Sequence, residues 1–206
     1  MNLSHVTTLN GLHDAIRAFQ GCTLKTGATR TVIGDGNPHA GIVLIGEAPG
    51  AEEDKQGIPF VGRSGKLLDQ MLEAIGLSRQ KVYITNTVFW RPPDNRTPTP
   101  AEVASCRPFL DKHLSLLAPK LVLLVGGTAA KTVLNTDVGI GKLRRQWHML
   151  ENPYLNTPIP ALPTFHPAYL LRNPPAKKDA WEDLKMFRDR VVEAGLLQLE
   201  TKESAA

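Results

Sequence analysis

Cysteine is scarce in this chain, with only Cys22 and Cys106 among 206 residues. Two thiols cannot build a disulfide framework, and cysteine alone cannot supply a four-thiolate metal site. That usage fits a reducing compartment. Long apolar runs are missing as well. Nothing approaches the roughly 18 consecutive apolar residues of a membrane span, and the polar amino end has no basic-then-apolar leader pattern, so cytoplasmic residence is expected. Neither charge dominates. The 24 Lys and Arg against 20 Asp and Glu leave a formal net charge of +4, compatible with an anionic partner but too small to demand one. Internal repeats and low-complexity linkers are absent too. At 42% hydrophobic content, a chain of this length suits one well-packed domain better than two. That domain is expected over 1–197. Residues 198–206 lose apolar periodicity and read as a frayed tail.

The glycine-rich fingerprints of nucleotide sites fail on spacing. Gly62-Arg63-Ser64-Gly65-Lys66 lacks the earlier glycine of a phosphate loop, and Gly126-Gly127-Thr128 has no lysine in register. Gly34 and Gly36 precede their strand instead of following it, which rules out the dinucleotide fingerprint. Ser64 lacks the flanking glycines of a nucleophile elbow.

What is present is an alternation of periods. Four short apolar runs, at 42–45, 82–85, 121–125 and 161–165, are interrupted by almost no charge, as in parallel strands covered on both faces. A further short strand is expected at 31–33. Leu9, Leu12, Ile16 and Phe19 recur at helical spacing and predict a first helix ending before Gly21. Ser64 is a candidate cap for a helix carrying Leu67, Leu68, Met71, Leu72 and Ile75, with Gly76 as its stop. Thr99-Pro100-Ala101-Glu102 is a capping box with proline at the first helical position, so a second long helix should run to about Leu117. Further helices are expected at 128–134 and around Trp181, Leu184, Phe187 and Val191. Strands alternating with helices in this way predict a three-layer α/β/α sandwich around a central four-stranded parallel sheet.

In such folds ligands bind at the carboxyl ends of the strands. The sequence GEAPGAEED, from Gly46 to Asp54, opens there after the first parallel strand, and His166-Pro167-Ala168-Tyr169-Leu170-Leu171-Arg172 follows the last. A histidine at a strand end is as often a structural hydrogen-bonding residue as a functional one. The aliphatics beside Arg172 have the composition of a wedge that enters a base stack, and they equally suit a buried helix start. Asn86, after the second strand, can donate and accept together, as reading a pyrimidine edge requires. A turn asparagine is the competing reading. Phe60 can stack on a flat ring or fill the core. Glu52, Glu53 and Asp54 more often mark a solvated helix start than a metal site. Lys142, Arg144 and Arg145, near Trp147 and His148, suit a phosphate backbone or a solvated face. Arg91 and Arg96 have the same two readings, in an irregular stretch at 86–100 long enough to be functional.

Taken together, GEAPGAEED, PFVGRSGKLLD, YITNTVFWRPPDNRTPTPAEVASC, LVLLVGGTAAKTVL and FHPAYLLRNP resemble the uracil-DNA glycosylase superfamily, specifically its family-four branch. The resemblance runs from about Cys22 to Arg190. It implies a base-excision-repair enzyme that flips uracil out of single- or double-stranded DNA and hydrolyses its bond to the sugar, leaving an abasic site. The implied roles are stacking by Phe60, base-edge recognition by Asn86, and hydrogen bonding to O2 by His166. Leu170 would fill the gap in the duplex. The motif after the first strand (Gly46, Glu47, Ala48, Pro49, Gly50) would line the pocket, with Glu47 positioning water. Arg172, Lys142, Arg144 and Arg145 are the candidate DNA contacts.

Family-four proteins typically hold an iron-sulfur cluster on four cysteines. Here Cys22 and Cys106 stand at two of those places, and Phe19 and Trp90 at the other two. Neither ring can ligate iron, so the chain is expected to carry no cluster, no other metal and no cofactor, and to act as a monomer. The competing readings are a DNA-binding relative without catalysis and a glycosylase for another deaminated base, such as hypoxanthine or xanthine.

Overall fold

The structure, a computed structural model, describes residues 1–198. The expected tail lies outside the described residues from 199 onward. In chain order the elements are α1 Leu9–Ala18, α2 Leu24–Gly27, β1 Gly34–Gly36, β2 Ile42–Gly46, α3 Ala51–Gln56, α4 Arg63–Glu73, β3 Tyr83–Asn86, α5 Pro100–Leu117, β4 Leu121–Val125, α6 Gly127–Leu134, α7 Ile140–Leu143, β5 His148–Leu150, β6 Ile159–Thr164, α8 Pro167–Arg172 and α9 Lys177–Glu193.

The four apolar runs become four adjacent parallel strands, β3-β2-β4-β6. Among the described residues the sheet nevertheless has six strands, not four, because β1 and β5 pair antiparallel on its two edges. These are three-residue edge strands of sequence GDG and HML, too short to show any period. The strand expected at 31–33 is displaced. Val32 instead donates its amide to Phe89 O at 2.8 Å, and the ladder begins at Gly34, opposite Thr85.

Successive side chains of the parallel strands point to opposite faces, and both faces are covered. Leu44, Ile84, Leu123 and Leu162 pack with Leu68 and Leu72 of α4 and Phe187 of α9. Val43, Ile45, Val122 and Leu124 pack with Leu110 and Leu114 of α5 and Val133 of α6. A third cluster joins Leu12 and Ile16 of α1 to Cys22, Phe89, Trp90, Cys106 and Phe109.

The capping box of α5 forms as read. Thr99 Oγ1 accepts the Glu102 amide at 3.3 Å, and the Glu102 carboxylate accepts the Thr99 amide at 2.7 Å. By contrast, α4 is capped by Gly62 and not by Ser64. Its start is set by tertiary contacts to the preceding loop, which local propensity does not encode.

Arg144 departs most clearly from its sequence reading as a phosphate contact. It is buried, with its Nε 2.9 Å from Asp183 Oδ2, and its guanidinium lies 4.5 Å from the Phe165 ring centre. Thr164 Oγ1 donates to the same carboxylate oxygen at 2.9 Å. The charge is thus committed to joining β6 and α9, because a buried carboxylate needs a partner. Arg144→Ala should destabilise the fold by about 3–5 kcal/mol, the cost of orphaning a buried charge. Urea denaturation checks this, and a loss below about 1 kcal/mol, as for an exposed pair, would refute it.

Candidate active site

In-register pairing sets Gly46 beside Asn86 and Val125 beside Thr164. The residues that follow these four strand ends therefore emerge along one edge. Gly46 itself is confined. A Cβ there would lie 2.5 Å from both Asn86 Oδ1 and the Phe60 ring, so any side chain would separate those two groups. The next residue is tied from across the edge, where Thr87 Oγ1 donates to Glu47 O at 2.6 Å. Gly126 adopts φ 104°, and a Cβ on it would come within 2.9 Å of His166 Cβ. The glycine lets β4 end directly against the histidine.

Glu53 is no solvated helix start. Its carboxylate is buried and accepts the Gly50 amide at 3.2 Å and the Val61 and Gly62 amides at 2.9 Å each. Asp54, also buried, accepts the amides of Thr29 and Arg30 at 2.8 and 3.0 Å. One acidic run thus fastens three loops. Phe60 lies between these ties in the left-handed region, at φ 55°. That conformation costs a non-glycine residue about 1–3 kcal/mol and persists only where its surroundings enforce it. Its ring centre is 5.8 Å from that of His166.

His166 caps α8. Its Nδ1 accepts the Ala168 amide at 3.0 Å, so in the neutral ring the proton sits on Nε2. Burial, reinforced by Arg172 and opposed by Glu53, lowers its pKa to about 4. The strand end therefore presents a neutral imidazole with a fixed N–H donor. Asn86 Oδ1 is the complementary feature, a buried acceptor without a hydrogen-bond partner.

A cavity of about 620 Å³ opens over this edge, walled by Glu47 to Glu53, Phe60 and His166, with Arg63, Arg96 and Arg172 among its lining residues. Gly46 and Asn86 are buried and are not among its lining residues. Arg63 and Arg172 are exposed. Arg96 is held by two contacts to Glu102, at 2.7 and 2.8 Å. The structure thus brings together Gly46, Glu47, Ala48, Pro49, Gly50, Phe60, Asn86, His166 and Arg172. Lys142 and Arg145 are exposed away from the cavity walls. Leu170 must be corrected, because it is 1% exposed and belongs to the core, whereas Tyr169 and Leu171 are 37% and 36% exposed. Helical geometry turns neighbouring side chains to different faces of α8, and the core claims Leu170. The sequence reading missed Arg63 as a cavity residue and Gly126 as the support of His166, since both sat in motifs read only as failed phosphate loops.

A sequence profile of the Uracil DNA glycosylase superfamily matches residues 33–185. The chain belongs to that superfamily. It is 37% identical over 190 residues to a type-4 uracil-DNA glycosylase of Sulfurisphaera tokodaii, covering 90% of this chain and 86% of the relative. With one from Thermotoga maritima the identity is 41% over 167 residues, covering 78% and 81%. A type-5 uracil-DNA glycosylase of Thermus thermophilus is 35% identical over 140 residues, or 61% and 62% of the two chains.

The cysteine region does not fit the cluster implied by the family-four resemblance. Cys106 Sγ lies 3.9 Å from Cys22 Sγ, and both thiols are buried. Phe19 and Trp90 belong to the same cluster, with ring centres 6.4 Å apart, and Phe19 also meets Phe109 at 4.9 Å. Trp90 donates its ring N–H to Thr31 Oγ1 at 3.1 Å. Two thiols and two rings do not make the roughly four-ligand donor set that a cluster needs. Among the described residues no group of three or more His, Cys, Asp or Glu is arranged for a metal ion.

The His166 assignment has a spectroscopic test. The unfolded ring takes a proton near the ordinary value of 6.5, whereas the folded ring stays neutral until about pH 4. Its contribution to stability is therefore complete above 6.5 and is lost as pH falls towards 4. Nitrogen NMR should show Nε2–H and an unprotonated Nδ1 across that interval, and titration of His166 near 6.5 would refute the assignment.

Proposed function

We propose that this protein is a monofunctional uracil-DNA glycosylase, hydrolysing the N-glycosidic bond of a flipped-out deoxyuridine in DNA without an iron-sulfur cluster. The observation that carries the reading is the complementary pair at the strand edge. A partnerless buried acceptor, Asn86 Oδ1, lies on the same edge as the fixed Nε2–H donor of His166. Uracil supplies the matching N3–H donor and O2 acceptor. Family membership and relatives named as uracil-DNA glycosylases support the same activity.

In this reading Phe60 stacks on the base, Asn86 accepts from N3–H, and Gly46 leaves room for both. The bond from C1′ to N1 breaks with its electron pair moving onto the uracil ring. Negative charge then grows on O2, where the neutral His166 donates its Nε2–H. A preorganised donor at a developing oxyanion contributes about 3–4 kcal/mol to lowering the barrier. Water attacks C1′ of the cationic sugar and gives up one proton, which neutralises the departed uracil anion, and Glu47, in the cavity wall, is the candidate to position that water. Arg63 and Arg172, exposed at the opening, are the candidate contacts for phosphates, whereas Arg96 is paired with Glu102. Leu171 and Tyr169 replace Leu170 as the apolar side chains facing the vacated stack. Because unpaired and mismatched bases are easier to flip, uracil in single strands or opposite guanine should be cleaved faster than opposite adenine.

Alkaline scission of a labelled single-uracil oligonucleotide, with chelator present, tests the activity. Wild type should cleave it, and His166→Ala should be slower by about 100- to 1,000-fold, as expected for loss of an oxyanion donor. No scission of single-stranded, U:G or U:A substrates would remove the proposal.

Freshly purified protein should contain no stoichiometric iron or sulfide and show no visible charge-transfer absorbance. In this reading Trp90, fully buried, stabilises the region by about 1.5–3 kcal/mol, and the half-buried Phe19 adds less. Iron and sulfide at cluster stoichiometry would overturn the cluster-free assignment.

A further inference from the structure

We infer that Arg79 is a positioning residue for the glycosylase site, acting through the backbone of Phe60 without touching the base. The inference rests on the reading of Phe60 as the stacking residue. Arg79 begins a short 3-10 turn, Arg79–Lys81, leading into β3. Its guanidinium reaches back to the loop before α4, donating from Nη1 to Pro59 O at 3.0 Å and from Nη2 to Phe60 O. The other face of the fork is held by Asp69 of α4, 2.8 Å from Nε, and by Asp35 of β1, 3.1 Å from Nη1. One positive charge thus faces two carboxylates. The side chain is 23% exposed and does not line the cavity, so the guanidinium is committed to the loop and not to a phosphate.

The geometry explains why the tie is needed at this residue. Phe60 is left-handed, which a phenylalanine does not adopt unaided. Its carbonyl is pressed onto Gly65, where a Cβ would overlap Phe60 O and C. Arg79 binds that carbonyl, and Glu53 binds the next two amides, of Val61 and Gly62. The peptide plane after Phe60 is thus gripped on both sides, which fixes the direction of the ring. Only arginine can do this here. A planar fork serves two carbonyls and two carboxylates together, whereas a lysine ammonium offers a single point of attachment.

The test compares wild type with Arg79→Lys, Arg79→Gln, Phe60→Ala and the Phe60→Ala/Arg79→Gln double variant, using single-turnover cleavage of single-stranded uracil DNA. Arg79→Gln should slow cleavage by about 10- to 100-fold, as expected when a reacting group is held off its productive geometry. Affinity for the same strand with thymine in place of uracil should stay within about twofold. If Arg79 acts through Phe60, the double variant should be no slower than Phe60→Ala by more than about twofold. Losses that multiply, or a parallel fall in thymine-strand affinity, would overturn the inference. Amide exchange provides a readout that does not depend on activity. Exchange at Val61 and Gly62 should quicken by about tenfold or more in folded Arg79→Lys as the loop is released, and unchanged exchange would overturn the clamp. If wild type cleaves no uracil substrate, the functional reading fails, while the exchange result still decides the clamp. Arg79→Lys retains the charge facing Asp35 and Asp69, so it decides the question should Arg79→Gln not fold.

Discussion

The in-register pairing of four parallel strands is the constraint on which the site depends. It aligns the ends of β2, β3, β4 and β6, so that Gly46, Asn86, Gly126 and His166 reach one edge although they are far apart in sequence. A slip of one residue in any strand would turn its side chains to the other face. Asn86 would then enter a hydrocarbon layer, and apolar side chains would meet the cavity. The two apolar layers therefore stabilise the sheet and also fix the address of each polar group at its rim.

Buried polar groups then convert that edge into a shaped site. Glu53 accepts three loop amides, Asp54 accepts two, and Thr87 holds the carbonyl of Glu47. Each bond satisfies backbone that strand and helix ladders cannot reach, and leaving such groups unpaired would cost about 1–3 kcal/mol apiece. Asn86 Oδ1 stands out against this background. Asp183 Oδ1 and His113 Nδ1 also lack a partner, so it is the place of Asn86 at the strand edge, beside Gly46 and Phe60, that links its orphaned acceptor to the proposed function. The left-handed Phe60 is a second local departure at the same edge, and strain of that kind persists where the surrounding contacts enforce it.

The sequence was informative wherever a period or a cap spans several residues. The parallel runs, the Thr99 capping box and the amphipathic helices were legible because burial on two faces, or on one stripe, leaves a repeating signature. The three-residue β1 and β5 carry none. Side chains whose roles depend on tertiary partners were the least legible. Arg144 sits in a basic run that looks solvated, yet Asp183, contributed by α9, draws it inside. Leu170 and Leu171 are identical in type, and only the packing of α8 decides which is core and which faces solvent. Glu53 has the composition of a helix start and the burial of a structural hub. Residue type described the chemistry available at this edge, and topology decided which side chains could use it.

The third hydrophobic cluster bears on the site as well. Trp90 is 1% exposed and stands at the head of the proline-rich loop that carries Arg96. Phe19, at the end of α1, packs against Phe109 of α5. One turn before Cys106 on the same helix, Glu102 takes Arg96 in a two-point ion pair and receives the Thr23 hydroxyl at 3.4 Å. Arg96, with support from the Thr99 cap and against the effect of burial, holds the Glu102 carboxyl down to about 2. The pair is therefore ionised across the whole working range of pH. The packed rings fix α1 and the loop from one side, and the ion pair orients a cavity arginine from the other. Ligation is thus not the only way to hold this region, because apolar packing supplies cohesion and a charged fork supplies direction. Packing tolerates exchange of one ring for another of similar volume, whereas loss of Glu102 would remove the two contacts that orient Arg96. The part of this region closest to the cavity is therefore held by directional contacts, and the part farther from it by packing.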